Sequence, residues 1–356
     1  MSRIYHILPS NTSHLVCGIV ESLIKDFSDL DLFLILIGDK IDKRNLYQSI
    51  FEKEKFDNYC FFVSIGDIFK SDFHAEKIIV HGDNLKWLFY LSLRRNISVN
   101  WINWGSGLKL NSNIKSYLIY WVKRFIYSRL NSVVVLMSPD KNDLIKNFSI
   151  NNVFVIPYLS KTSDVYSFPE NDIYVRKNSS NKLQVYLGNN ATCISFYIDF
   201  VEKMCKCKGN IEIQCMLHYS LNKENLEYKN LIFSGEKLWE NDFCVNTKFY
   251  SLRDYVDYMN LCDVYVCGVS RQTGLGAIYT CLRLGKKIYL SGNNYEYISS
   301  LGCKIFNCNE LFKDPYHINI PLSKEDKLHN YRIIMNLLDK NILKSKWSEY
   351  FSFVSR

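Results

Sequence analysis

The stretch from Asp263 to Leu290, DVYVCGVSRQTGLGAIYTCLRLGKKIYL, holds the densest set of residues suited to chemistry. Val264 to Cys267 is a short apolar run with β-branched and aromatic members, and it reads as a buried strand. Ser270, Arg271, Gln272 and Thr273 follow, then Gly274 and Gly276. A helical stretch from Ala277 to Leu284 comes next, ended by Gly285 and Lys286, and Lys287 to Leu290 begins another strand. Open α/β sheets bind ligands in the loops at the carboxyl ends of their strands. A helix start offers unpaired N–H groups and the positive end of a dipole. Glycines let an anion approach the backbone, and the planar fork of Arg271 suits two phosphate oxygens. The pattern fits a seat for a diphosphate. A tight turn with Arg271 paired to a carboxylate fits it as well. The spacing is neither the G-x-G-x-x-G fingerprint nor a Walker loop, because no Gly-Lys-Ser/Thr follows.

Strands and helices must hold this loop in place, and the rest of the chain supplies them in alternation. Strands are expected at Ile4–Leu8, Leu32–Ile37, Phe61–Val63, Lys77–Val80, Val99–Asn103, Val133–Met137 and Val153–Ile156. Helices are expected between them at His14–Lys25, Lys43–Glu54, Asn84–Arg94, Ile114–Leu130 and Asp140–Phe148. The segment 160–182 (SKTSD, FPEND, KNSSNK) is polar and turn-forming. Alternation then resumes with strands at Leu183–Leu187, Ile211–Leu217, Leu231–Ser234 and Lys304–Phe306, and helices at Ile194–Cys205 and Arg253–Leu261. Residues 324–356 read as helical throughout. A chain of 356 residues is too long for one ordinary core. The expected organisation is an α/β fold of two Rossmann-like domains facing across a cleft: 1–165, a linker 166–182, 183–325, and C-terminal helices 326–356.

Composition narrows the partners. The net charge of +8 favours an acidic one, such as an anionic membrane surface or a nucleotide. Nucleic acid is not expected, since no recognition motif or basic run of the usual kind is present. The 12 cysteines form no C-x-x-C pair and no zinc spacing, so no metal site is expected. The sequence MSRIYHILPS lacks a signal-peptide core, which points to a cytoplasmic, reducing compartment and free thiols. No stretch of about 18 apolar residues is present to span a bilayer. Asp29-Leu30-Asp31 resembles a metal-binding D-x-D element but precedes a strand, and it reads as a solvated turn. Lys109–Arg129 carries Tyr117, Tyr120, Trp121, Phe125 and Tyr127 among basic residues with no acid. Such a helix suits a membrane surface. Covering a sheet is the equal alternative.

Several motifs occur in a definite order. They are His6 and His14 around the first loop, His81-Gly82, Trp101-x-x-Trp104-Gly105, Gly188-Asn189, Tyr219-x-x-Asn222, Tyr255 with Cys262-Asp263, and Arg271-Gln272-x-Gly274-x-Gly276. This set resembles the bacterial Fuc4NAc transferases, which move an acetamido-dideoxygalactose from dTDP to the lipid-linked precursor of enterobacterial common antigen. The likeness runs over nearly the whole chain and is strongest from Tyr255 to Leu290. It implies a GT-B fold, an inverting mechanism and no essential metal or other cofactor. The sequence departs from the family pattern at Gly107, where members carry Asp, and at Asn190, Ala191, Thr192 and Tyr197. Those departures bear on the sugar and the acceptor, and a dTDP- or UDP-linked amino sugar of O-antigen or capsule assembly fits equally.

The expected roles follow from the chemistry of glycosyl transfer. Arg271, Gln272, Gly274 and Gly276 would stabilise the charge that develops on the leaving diphosphate. Gly188 and Asn189 would face the nucleotide sugar, Tyr219 and Asn222 would touch base, ribose or sugar, and Glu296 would hold the ribose. A plain turn at Gly188 and a surface role for Tyr219 are the alternatives. The base should come from the first domain, where an imidazole titrates near neutrality. His14 and His81 are the candidates, with Asp83 as reserve base or orienting partner, and His6 reads as a packed core residue. Trp101, Trp104 and Gly105 would form the acceptor side, for a lipid-linked or glycan acceptor at the inner face of the cell membrane. Another GT-B enzyme (an epimerase or a sialyltransferase) and a non-catalytic nucleotide- or glycan-binding partner are the alternatives.

Overall fold

The computed structural model describes residues 3–11, 13–70, 75–94, 96–105, 108, 114–158, 170, 173, 180–188, 191–217 and 222–356. The side chains of residues 13–15, 69–70, 114–116, 192 and 252 lie outside that description. The chain divides into two compact units, Met1–Asp164 with Leu338–Arg356, and Val165–Leu337.

The first unit is built on seven parallel strands in the order β3-β2-β1-β4-β5-β6-β7. They are β1 (Ile4–Pro9), β2 (Leu32–Ile37), β3 (Tyr59–Phe62), β4 (Lys77–His81), β5 (Ser98–Ile102), β6 (Ser132–Val135) and β7 (Val153–Val155). The intervening helices are α1 (Ser13–Asp26), α2 (Ile41–Glu54), α3 (Ile65–Lys70), α4 (Leu85–Ser92), α5 (Ile114–Tyr127) and α6 (Ser138–Phe148). Near-continuous apolar strands such as LFLILI and SVVV suit a sheet covered on both faces. Alternation divides them: Ile7, Ile35 and Val80 join one core, and Leu34, Leu36 and Ile79 the other. The chain order reverses at β1 and β4, the switch point where such sheets bind ligands.

The second unit has six parallel strands in the order β10-β9-β8-β11-β12-β13. These are β8 (Leu183–Leu187), β9 (Ile211–Met216), β10 (Phe243–Asn246), β11 (Val264–Cys267), β12 (Lys287–Leu290) and β13 (Phe306–Asn307). Its helices are α7 (Ile194–Lys203), α8 (Leu226–Trp239), α9 (Leu252–Asn260), α10 (Leu275–Arg283), α11 (Gly292–Ser300), α12 (Cys308–Lys313) and α13 (Lys324–Leu337). A last helix, α14 (Lys340–Ser355), belongs to the first unit. The expected α/β class, two Rossmann-like units followed by C-terminal helices, is the one observed.

Three expectations change. Leu231–Ser234 is not a strand but part of α8, where Leu231, Gly235 and Trp239 are buried at helical spacing. Four apolar residues carry no period of their own, so the run alone could not distinguish strand from helix. The neighbouring strand is Phe243–Asn246, and the late strand is Phe306–Asn307 rather than Lys304–Phe306. The C-terminal helical stretch breaks at Leu338 and Asp339, where the Asp339 carboxylate accepts from Asn341 N at 2.9 Å and Ile342 N at 3.0 Å. Before the break, α13 packs against α10. After it, α14 returns to the first sheet: the Trp347 indole donates to Pro157 O at 3.0 Å, and Tyr350 Oη lies 3.1 Å from Ser132 Oγ. Most of the expected linker, 166–182, lies outside the described residues.

All twelve cysteines are free thiols. Among the described residues, no helix is long and apolar enough to cross a membrane.

Candidate functional site

In the second unit, the turn between β11 and α10 lies at the carboxyl edge of the sheet beside the β8 end. Two elements brace it from behind. Asn294, fully buried in α11, donates through Nδ2 to Thr273 O at 2.9 Å, and its Oδ1 accepts from Thr273 N at 3.4 Å. Asn293 N donates to Ser270 O at 3.0 Å. Gly292 makes this approach possible: its φ is +53°, and a Cβ there would lie 2.1 Å from Ser270 O. Gln272 is buried, Arg271 is half-buried, and Gly276 is exposed.

Gly274 sits at the N-cap of α10 in the left-handed conformation, φ 65°, and brings no side chain to cap the helix. Its carbonyl accepts from Ile278 N at 3.0 Å. The first turn of α10 therefore has no N-cap side chain, as at helix starts that bind anions. A methyl added at Gly276 would meet nothing within 4 Å, so no packing demand of the protein requires glycine there. Close approach of a ligand would.

The neighbouring candidates divide. Gly188 N donates to Val266 O at 2.8 Å, tying the end of β8 to β11. Its φ is +61°, and a Cβ would stand 1.8 Å from Tyr197 Oη, so packing alone accounts for this glycine. Asn189 and Tyr219 lie outside the described residues. Asn222 is exposed and its Oδ1 accepts from Glu224 N at 3.0 Å, a local turn bond. Glu296 is exposed on α11, one turn beyond Gly292. A cavity of about 200 Å³ opens at the opposite edge, by the first residues of β8, β11 and β12. Two of its lysines are held by the backbone: Lys286 Nζ donates to Asn260 O at 2.8 Å and Lys287 Nζ to Ile320 O at 2.8 Å.

In the first unit, His6 on β1 and His81 at the end of β4 share a sheet face, because His6 is in register with Ile79. His6 Nδ1 lies 2.9 Å from His81 Nε2, and His81 Nδ1 lies 3.0 Å from Tyr158 Oη. His81 is 2 % exposed, so the imidazole expected as a base has both nitrogens engaged inside the unit. Working as a base would require one of those bonds to open. His14 falls within α1, and its side chain lies outside the described residues. Asp83, half-buried, is better presented; its Oδ1 accepts from Trp104 N at 2.9 Å and so ties the β4 and β5 ends together. Trp101 is buried and donates to Gly82 O at 2.7 Å, a structural anchor. Trp104 is half-buried, its ring edge-on to Tyr158 at 5.6 Å, and Gly105 N donates to Asn103 Oδ1. Asp31 of the D-x-D element pairs with Arg3 at 2.9 Å in the α1–β2 turn, at the amino-terminal edge of the sheet.

Burial drives the His6 pKa down from 6.5 to about 3. Burial, and then the charge of His6, hold His81 well below its ordinary value. Both imidazoles are neutral near pH 7. Unfolding frees them to bind protons below pH 6.5, so the unfolded chain takes up more protons than the folded one. Stability is expected to be complete above pH 6.5 and to fall as the pH drops toward 3, by up to about 1.4 kcal/mol per pH unit for each histidine. Urea unfolding of wild type and His6→Asn across that range checks it: the variant should show a shallower acid slope.

Sequence reasoning missed Gly292 and Asn294, which open α11 in a plain SGNN run, and Tyr158, a lone tyrosine before the polar segment. His6 was expected in the core, and it is there, as one half of a histidine pair. The pairing had a readable signal: both histidines lie on strands that end at the switch point.

Two parallel α/β sheets, with the final helix joining the first unit, are the elements of a GT-B fold. A glycosyltransferase from Rickettsia africae aligns over 100% of this chain and 99% of its own, with TM-score 0.66 and 13% identity. Anabaena Alr3699/HepE in complex with UDP aligns over 99% and 100%, with TM-score 0.69 and 12% identity. TarM aligns over 100% and 99%, with TM-score 0.65 and 9% identity. At such identities the likeness is one of fold. No protein-family model matches the chain, and no curated protein matches it in sequence.

Proposed function

We propose that this protein is an inverting GT-B glycosyltransferase that moves an amino-deoxy sugar, Fuc4NAc-like, from a dTDP or UDP donor. The acceptor is a lipid-linked precursor or surface glycan of bacterial polysaccharide or O-antigen synthesis, used at the inner face of the cell membrane. One observation carries the reading: the braced turn of Ser270 to Gly276, whose helix start is left without a side-chain cap at the carboxyl edge of the second sheet. HepE, similar in fold over its whole length, was solved with UDP, which supports a nucleotide diphosphate as the ligand class.

In this mechanism the first-turn N–H groups of α10 and the Arg271 guanidinium take up the negative charge of the leaving diphosphate. Gly276 lets the phosphates reach the backbone. Asp83 or His14 accepts the proton of the attacking hydroxyl, and His81 holds the loops at the end of its sheet through Tyr158 and His6. The order of motifs shared with the Fuc4NAc transferases supports the amino-sugar donor and the lipid-linked acceptor.

Mass spectrometry of products from a panel of dTDP- and UDP-sugars with lipid-linked acceptors tests the reading. A mass increase of one amino-deoxyhexose residue on the acceptor is expected with a dTDP or UDP donor, and no product from a CMP-sugar. Transfer from the CMP-sugar, or an isomerised nucleotide sugar with no acceptor product, would replace this reading with a sialyltransferase or an epimerase. Asp83→Asn and His14→Ala in the same assay separate the two bases, since the true one loses the acidic limb of the pH–rate profile.

A further inference from the structure

We propose that helices α4 and α5 of the first unit together form a docking face for an anionic phospholipid bilayer. The inference builds on the reading of a lipid-linked acceptor by naming the surface that would bring the enzyme to it. It rests on how α5 is placed rather than on its composition alone. Lys123, Ile126 and Tyr127 are buried and mark the side of α5 that covers the sheet. The opposite side is also apolar: Leu118 is 65 % exposed, Trp121 48 %, Val122 44 % and Phe125 39 %. At 100° per residue these four lie within one arc facing away from the core. A helix that is apolar all round is normally enclosed on all sides. This one is not.

The adjacent helix extends the patch. Phe89 and Tyr90 of α4 are exposed, and so is Leu93 just beyond its end. Charge frames the patch with a single sign. From Asn84 to Pro139 the sequence contains no aspartate or glutamate, while Lys86 and Arg94 are exposed on the α4 side. On the α5 side Arg124 and Arg129 are exposed. The acids around α5 are Asp83, half-buried and acting on the buried Lys123 and Tyr127 of the sheet-covering side, and on the neighbouring α6 Asp140, buried, and Asp143, half-buried. Arg124 lies over the Trp121 ring at 5.6 Å and Arg129 over Phe125 at 4.5 Å, so cationic heads are stationed beside the aromatic rings. Exposed Trp and Tyr beside Arg and Lys, with no acid between, match the boundary between acyl chains and anionic headgroups. A protein partner would have to meet a bare apolar arc ringed only by positive charge, and a second copy of this chain would set those charges against each other.

Co-sedimentation of the full chain with vesicles of phosphatidylcholine containing about one third phosphatidylglycerol tests the face. Wild type is expected to bind, with binding reduced at least severalfold in pure phosphatidylcholine and by raised salt. Leu118→Asp with Trp121→Asp is expected to lower the bound fraction tenfold or more, with an unchanged thermal unfolding midpoint. Arg124→Glu with Arg129→Glu should weaken binding to the anionic vesicles and leave the weak binding to phosphatidylcholine alone as it was. Equal sedimentation of wild type and the Leu118/Trp121 variant would overturn the proposal. So would a wild-type dimer that the variant converts to monomer while vesicle binding persists, which would assign the patch to a second copy. The assay contains no nucleotide sugar, so vesicle binding without transfer activity would refute the proposed function and leave the docking face standing.

Discussion

Arg271→Ala is expected to lower the turnover of sugar transfer by about two to three orders of magnitude while the protein stays folded. Removing one preorganised donor from a site of developing negative charge costs about 10²–10³ in kcat, or about 2.7–4 kcal/mol. Arg271 lies on the turn that runs from β11 into α10, half-buried and next to a helix start whose N-cap residue has no side chain. The effect should fall mainly on kcat, because charge accumulates on the diphosphate as the glycosidic bond breaks. Steady-state kinetics with the best donor, together with a thermal unfolding curve, measure both halves. A folded Arg271→Ala variant with near-normal turnover would remove this residue from the mechanism.

The second large effect is expected from a residue that touches no substrate in this account. Gly292→Ala places a methyl 2.1 Å from Ser270 O and 2.5 Å from Ser270 Cα, in a backbone conformation of φ +53°. The obstructing atoms are backbone, so no flexible side chain can swing clear. Strain in the left-handed region and overpacking each cost about 1–3 kcal/mol, and a loss of about 2–4 kcal/mol of stability is expected. Ser270 must move, and with it the turn that Asn293 and Asn294 brace, so nucleotide affinity should fall together with stability. Gly276→Ala is the matched control. Its methyl meets open space, and alanine favours the helix, so stability should hold or rise slightly. Chemical denaturation of the two variants separates the outcomes, and equal stability of Gly292→Ala and wild type would contradict the packing described here.

Much of this arrangement was readable from residue order. Parallel, doubly covered strands leave near-continuous apolar runs such as Leu32–Ile37, and those runs located most of both sheets. The Arg271–Gly276 turn stood out because glycines and polar residues interrupt an apolar strand and helix. What failed was short or set by distant contacts. Leu231–Ser234 is four residues long, too short to show the helical period that Leu231, Gly235 and Trp239 reveal. The final helical stretch is split by Asp339, whose capping carboxylate looks in sequence like any exposed acid within a helix. The bracing of the turn by Gly292 and Asn294 joins residues more than twenty positions apart, and no local pattern records it. His81 was readable as a strand-end histidine; its enclosure between His6 and Tyr158 depends on a residue 77 positions away. The outward apolar side of α5 was legible as composition, but only the packing showed which side of the helix faces solvent.

The central claim is that the turn from Ser270 to Gly276 seats the diphosphate of the donor. Calorimetric titration of dTDP and UDP into wild type and Arg271→Ala tests it most directly. Wild type should bind at least one of the two nucleotides, and the variant should bind the same nucleotide at least tenfold more weakly, with the corresponding nucleoside binding both proteins alike. Equal affinity of wild type and variant for the diphosphate, or a nucleoside that binds wild type as tightly as its diphosphate does, would contradict the claim.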